Sequence, residues 1–278
     1  MREIAGKTAF VTGGASGIGF ALGQAFLQRG MKVMLADIEA DALEVAVKSL
    51  QNVSPDVRGI TCDVADWTSV ERAAKATRAS FGNVHVVCNN AGVGATGGIN
   101  NISLENWQWV LDVNVLGVVH GVRAFLPHLR AHGEGGHFVN TASMAGMVGV
   151  PWFAPYGPSK FAVVAMSEAL SMQLEPLGIG VSVLCPEFVR TRIMESERNR
   201  PERYGPRQTQ DPGSPGRVIA AQMAERVQAG IDPSEVAARV LAAISEGELY
   251  VFTHPNMRAA VEKRFAAILA AMDKVTAH

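Results

Sequence analysis

Lys7-Thr8-Ala9-Phe10-Val11-Thr12 runs directly into Gly13-Gly14-Ala15-Ser16-Gly17-Ile18-Gly19, and an amphipathic stretch from Gly17 to Arg29 follows. The first run is short and carries no solvent-facing alternation, as expected of a strand covered on both faces. Glycines at 13, 17 and 19 permit a tight turn and let backbone N–H groups approach a ligand closely. The helix after the turn adds the positive end of its dipole, so a pyrophosphate would be well received there. A glycine-rich turn by itself suits any sharp strand-to-helix connection. Strand before and helix after supply the context that a dinucleotide loop requires.

The same rhythm repeats outward from this turn. Lys32–Asp37, Val57–Cys62, Val84–Cys88, His137–Thr141 and Gly180–Cys185 read as further buried strands, with Leu249–Phe252 as a last one. Amphipathic stretches such as Asp66–Phe81 and Pro155–Leu177 lie between them. Repeated βα units imply a parallel sheet with right-handed crossovers. The expected fold is therefore α/β, a Rossmann-type doubly wound parallel sheet. The chain has 278 residues, 48% of them hydrophobic, and a formal charge of −1. That is enough apolar material for one large core, and the balance gives no electrostatic reason to expect nucleic acid or an anionic membrane as a partner. No uninterrupted apolar run reaches the ~18 residues of a membrane span. The opening residues pass straight into the first strand, so no signal peptide is expected. Cys62, Cys88 and Cys185 show no CxxC spacing and each ends an apolar run, which suits small buried hydrophobes and a reduced, cytoplasmic protein.

Asp37 ends the second strand, eighteen residues past Gly19. A carboxylate there can accept hydrogen bonds from the adenosine ribose hydroxyls; it can also cap the helix expected over Ala40–Leu50. The loop upstream favours the ribose role. Glu39 follows, Ser16 and Ile38 are uncharged, and no arginine or lysine in these stretches would offset a 2′-phosphate, so NAD is expected rather than NADP.

Two segments depart from the βα rhythm. Glu195–Arg217 is rich in Pro, Arg, Glu and Gly, and reads either as a solvated loop or as a lid over the strand ends. Met257, Val261, Phe265, Ile268, Leu269 and Met272 recur at helical spacing and imply an apolar stripe packed on the body or on a neighbouring subunit. The expected organisation is a single catalytic domain over 1–253 with a helical lid at about 195–217, then a C-terminal helical extension over 254–278.

The GxxxGxG spacing resembles that of the short-chain dehydrogenase/reductase family, and the similarity continues over almost the whole chain. Cys62-Asp63-Val64 resembles the segment that holds the adenine ring through Asp63 and the amide after it. Asn89-Asn90-Ala91-Gly92 resembles the motif that supports the sheet and lines the cofactor. Asn114, Ser143 and the Tyr156-x-x-x-Lys160 pair match the active-site set. The resemblance implies catalysis by Asn114, Ser143, Tyr156 and Lys160, and a cofactor held by Gly13, Ser16, Gly17, Ile18, Gly19, Asp37, Asp63, Val64, Asn90, Ala91, Gly92, Tyr156, Lys160, Pro186, Val189 and Thr191. The chemistry fits these residue types. Tyr156 and Lys160 share a helix face; a phenol with a free pKa of about 10 needs a neighbouring ammonium and an oxidised nicotinamide to act as a base near neutrality. Tyr156 would then move the proton of a secondary alcohol or ketone, with Ser143 orienting the same oxygen. Lys160 would also bind the nicotinamide ribose, and the Asn114 carbonyl would hold a relay water.

Glu187 stands where the family usually has glycine after Pro186, and can point to solvent or shape the mouth of the substrate pocket. Pro158 inside the Tyr-Lys interval is tolerable if Pro155 opens the helix. His128 and His132 have i,i+4 spacing but lie opposite the expected active edge and lack the HExxH glutamate, so capping or solvent-facing roles are expected and no metal. Val93, Met144, Trp152, Phe153, Glu187 and Met194 are expected to line a substrate pocket. No arginine occurs in 93–97 or 144–153, so a hydrophobic or aromatic secondary alcohol or ketone is the expected substrate. Arg200-Pro201-Glu202-Arg203-Tyr204-Gly205 and the long tail also resemble bacterial Cα-dehydrogenases of lignin-derived aryl ethers. The resemblance implies a homotetramer or dimer formed through helices over 103–130 and 155–177. Two alternatives remain: an NADP-linked reductase of carrier-bound 3-oxoacyl chains, and a dinucleotide-sensing protein without turnover.

Overall fold

Strand-length apolar runs separated by amphipathic stretches produce, in the computed structural model, one parallel sheet of seven strands among the described residues. The structure describes every residue except 2, 208–210, 212 and 276–278. The parts of the expected lid and tail at 208–210, 212 and 276–278 lie outside it. The strands are β1 (Thr8–Thr12), β2 (Lys32–Asp37), β3 (Val57–Thr61), β4 (Val86–Asn89), β5 (Gly136–Thr141), β6 (Ile179–Cys185) and β7 (Tyr250–Phe252), in the order β3-β2-β1-β4-β5-β6-β7. β1 pairs with both β2 and β4. The chain therefore reverses its direction of winding at β1, and a crevice opens at the carboxyl ends of the strands there.

Helices cover both faces because the strands bury side chains alternately up and down. Ala9, Val11, Val33 and Leu35 pack with Leu22 and Phe26 of α1 (Gly17–Gln28), Leu43 and Leu50 of α2 (Ala40–Gln51), and Val236 and Val240 of α8 (Pro233–Glu246). Phe10, Met34, Val87 and Phe138 pack on the other face with Val70 of α3 (Trp67–Phe81), Trp109 of α4 (Leu104–Leu111) and Phe125 of α5 (Gly117–His132). The three cysteines are buried, and burial pushes the Cys62 and Cys185 thiols up to about 11 and about 12.

A π turn, Asp112–Leu116, joins α4 to α5 in one continuous helix of 29 residues. By length and composition it could cross a membrane, yet Trp109, Val110, Phe125 and Leu129 are fully buried in the core. α6 (Tyr156–Leu174) begins directly after Pro155, whose carbonyl accepts the Ser159 N–H, so Pro158 sits in the first turn where no donor is missed.

Two helices lie beyond the expected elements. The segment read as a loop or lid contains short turns at Ile193–Asn199 and Glu202–Tyr204, and its end already belongs to α7 (Pro215–Gln228). α8 follows, and its start carries a signal visible in sequence: Asp232 and Glu235 form a capping box around Pro233. α9 (Arg258–Met272) confirms the helical tail. Met257 and Val261 pack on the body, whereas Phe265, Ile268, Leu269 and Met272 remain exposed. The stripe thus serves the body only over its first turn.

α5 approaches β4 so closely that a Cβ on Gly121 would stand 1.8 Å from Asn89 Oδ1. Asn89 cannot yield freely, since its Nδ2 donates to Asn140 Oδ1 at 2.9 Å. Gly121→Ala should lower unfolding stability by about 1–3 kcal/mol through overpacking, measured by urea unfolding with an unchanged m-value.

Candidate active site

The glycine-rich turn is built by β1 and β4 together. Thr12 Oγ1 accepts the N–H groups of Asn90 and Ala91 at 2.9 and 3.0 Å, and Asn90 Nδ2 donates to the Thr12 carbonyl at 3.0 Å. Gly13 and Gly17 both have left-handed φ, +66° and +54°. A Cβ on Gly19 would lie 2.1 Å from the Gly13 carbonyl oxygen. Ser16 caps α1 without a side-chain hydrogen bond, and the first turn has no acidic residue. The leading N–H groups of α1 are therefore open to an anion at a positive helix end.

Asp37 closes the other side of the groove. Its Oδ2 accepts the Ala15 N–H at 2.9 Å and its Oδ1 accepts the Glu39 N–H at 3.1 Å. The carboxylate thus braces the phosphate turn instead of capping α2, whose cap position is Glu39. Each oxygen keeps a lone pair for a ribose hydroxyl. Burial pushes the Asp37 carboxyl above its ordinary range despite these backbone donors.

At the far end, Ser143, Tyr156, Lys160 and Asn114 meet. Lys160 Nζ donates to the Thr141 carbonyl at 2.9 Å and lies 5.5 Å from the Tyr156 ring centre. Burial brings the Lys160 ammonium down to about 8, and burial pushes the Tyr156 phenol up, with only the hydrogen bond to Ser143 opposing it. The lowered phenol expected from sequence needs an oxidised nicotinamide as well as Lys160, and the protein alone holds the phenol above its ordinary value. Asn114 lies in the π turn and is fully used. Its Oδ1 accepts the Val93 N–H at 2.8 Å, and its Nδ2 donates to the Val93 carbonyl and Ser159 Oγ, both at 3.0 Å. A π turn is a frequent device at functional sites; here it ties the loop after β4 to α6.

The groove is lined by every residue expected to hold cofactor except Gly19, which lies beneath the turn. Ser143, Tyr156 and Glu187 also line a second cavity of about 530 Å³. Met144, Phe153, Glu187 and Met194 are there as expected. Val93 lies on the cofactor groove instead, because Asn114 holds its backbone. Trp152 lies outside the cavity: with φ at +65° it turns away, its ring edge over Gly98, and it is 40% exposed. Glu187 stands at the junction, its Oε2 accepting from Asn256 Nδ2 at 3.4 Å. Arg207, Arg217 and Arg226 reach the cavity from the lid and α7, cations that the two segments read from sequence do not contain.

The lid is pinned to the cofactor groove by charge. Arg203 pairs with Asp63 at 2.6 Å, and Tyr204 donates to Asp112 Oδ2 at 2.9 Å. Arg200 bonds Asn106 and lies 5.0 Å over the Trp109 ring. Arg198 pairs with Glu39 at 2.8 Å. No cation near Asp37 is expected from sequence, yet Arg198 and Arg192 both line that groove. Asn199 lines it as well, with its Oδ1 buried and unpartnered among the described residues, an acceptor a dinucleotide can satisfy.

His128 and His132 hold the backbone ahead of β4. His128 Nε2 accepts the Val84 N–H at 3.3 Å, and His132 Nε2 donates to the Val84 carbonyl at 3.0 Å. His132, His85 and Glu134 bring possible ligand atoms within 4.8 Å of one another. Both ring nitrogens of His85 and of His132 are occupied, His85 with the Thr8 N–H and Glu134, so an ion would have to displace protein hydrogen bonds.

Comparison with known proteins follows the same lines. The family described as short chain dehydrogenase matches residues 7–202. A C alpha-dehydrogenase of Sphingobium sp. is 34% identical over 274 residues, covering 97% of this chain and 87% of that protein. A short chain dehydrogenase/reductase from Burkholderia phymatum, solved in complex with NAD, superposes with a TM-score of 0.93 at 39% identity, covering 98% of this chain and 97% of that one. A short-chain dehydrogenase structure from Novosphingobium aromaticivorans gives 0.82 at 34% identity, over 100% of this chain and 90% of the other.

The burial of Lys160 has a measurable consequence. Its ammonium loses protons near pH 8 in the folded chain and near 10.5 when unfolded, so between these values the unfolded state binds more protons and stability rises with pH. The cost at pH 7 is about 3 kcal/mol. Lys160→Met should therefore unfold at higher urea than the native protein at pH 7, and the gap should shrink as pH rises from 8 to 10.

Proposed function

The chain belongs to the short-chain dehydrogenase family, and on that premise we propose that it oxidises a hydrophobic, aryl-bearing secondary alcohol with NAD, or reduces the matching ketone with NADH. One observation carries the reading: Ser143 and Tyr156 line both the dinucleotide groove and the 530 Å³ cavity, so any group bridging the two spaces meets their hydroxyls. When bound, a nicotinamide would supply hydride acceptance and donation. Ser143 orients the substrate oxygen, and Tyr156 takes its proton or returns it. Lys160 holds the nicotinamide ribose, its charge favouring the phenolate once burial has placed it beside the ring. Asn114 keeps the loop after β4 and α6 in register, which positions Tyr156.

Asp37 and Glu39 support NAD, because a 2′-phosphate would face two carboxylates while the nearest arginine, Arg198, is already paired with Glu39. The NAD-bound relative agrees. Met144, Met194, Met223 and Phe153 make the cavity wall apolar and adaptable, and the C alpha-dehydrogenase relative supports an aryl alcohol. Arg207, Arg217 and Arg226 at the rim favour, within this class, substrates that also carry a carboxylate. They give the carrier-bound acyl reading its basic surface, but that reading also needs NADP.

A screen of aryl and alicyclic secondary alcohols, with and without a carboxylate, should yield NAD-dependent turnover. Tyr156→Phe should lower kcat/KM by about 10³-fold, while its NADH affinity, read by tryptophan quenching, changes only a few-fold. Turnover retained in Tyr156→Phe would overturn the assignment.

A further inference from the structure

Glu39 and Arg198 are 159 residues apart in sequence, yet they pair in the groove, two guanidinium nitrogens meeting one carboxylate oxygen. Arg198 Nε donates to Glu39 Oε1 at 2.9 Å, and its terminal nitrogen lies at 2.8 Å. The pair is three-quarters buried, with 24% and 25% of the two side chains exposed. Arg198 is fixed on the lid side as well, because its other terminal nitrogen donates to the carbonyls of Arg192 and Glu195. Burial alone would raise the Glu39 carboxyl. Hydrogen bonds from Arg198 and Asn199, with the charges of Arg198 and Arg192, hold it below its ordinary value instead.

Asn199 fixes the polarity of the site. Its amide nitrogen serves the Glu39 carboxylate, which leaves its buried oxygen without a partner among the described residues. An amide oxygen and two carboxylates, Asp37 and Glu39, then line the same groove. A ribose hydroxyl has a proton to give to such acceptors. A phosphate at that position has none, and it meets lone pairs while Arg198 is held by Glu39 and Arg192 by Glu195.

We propose that Glu39, clamped by Arg198 and Asn199 of the lid, is a second specificity-determining element for the cofactor, and that Arg198 is a phosphate-binding arginine held out of use by Glu39. The proposal rests on the NAD reading above. The lid thereby takes part in recognising the adenosine ribose, a role separate from Asp37. Neutralising Glu39 would release a planar, five-donor guanidinium beside the ribose, the side chain best suited to grip a 2′-phosphate.

The test is the pair of dissociation constants for NADH and NADPH, by tryptophan quenching, in the native protein, Glu39→Gln and Glu39→Gln/Arg198→Gln. The series is repeated in an Asp37→Ser background so that Asp37 does not mask the effect. Glu39→Gln should shift the NADPH-to-NADH affinity ratio toward NADPH by about tenfold, and the double variant should lose that gain. No gain in either background, or a gain that survives without Arg198, overturns the proposal. A native protein that binds NADPH as tightly as NADH would overturn the NAD reading itself, and is visible before any variant is made.

Discussion

Everything at the strand ends depends on how closely the Gly13 turn sits against β4. Thr12 and Asn90 exchange hydrogen bonds across the gap, and Gly19 passes the Gly13 carbonyl with no room for a single carbon atom. This contact opens the crevice where β1 separates β2 from β4, and it points the first N–H groups of α1 into that crevice. Asp37 reaches back to the same turn through Ala15, so the phosphate end and the ribose end of the groove are one mechanical unit. Displacing the turn would displace both.

The catalytic end is held by a different logic. Its polar groups are buried before any ligand arrives, and burial alone pushes them toward neutrality: the Lys160 ammonium down and the Tyr156 phenol up. On the proposed reading, an oxidised nicotinamide acting together with Lys160 would supply the positive charge that favours a phenolate, which would couple proton transfer to cofactor occupancy.

Much of this was legible in the chain because it is written locally. The strands come from runs of Val, Ile and Phe, the turn from three glycines, and the Tyr156–Lys160 pair from a four-residue interval on α6. Pro155 before Pro158 correctly signalled a helix start. What could not be read was set by distance and direction. Arg198 meets Glu39, Arg203 meets Asp63 and Arg200 meets Trp109 only after the lid folds back over the sheet, and no spacing rule links such pairs. Trp152 has the right size and chain position for a pocket wall, but its left-handed backbone turns it onto Gly98. α7 hides in a polar segment with little apolar periodicity, while the Asp232–Glu235 box ahead of α8 was a readable cue.

The π turn at Asp112–Leu116 divides one long helix into two faces with different obligations. Asp112 at its start and Trp109 just ahead of it meet the lid through Tyr204 and Arg200, Trp109 while also packing in the core; beyond it, Gly121, Phe125 and Leu129 pack against the sheet. One extra residue in a turn rotates everything downstream by roughly 100° relative to an uninterrupted helix. A change in the lid and in the α4 surface that receives it would therefore alter what the groove admits, while the α5 surface against β4 keeps the sheet in place.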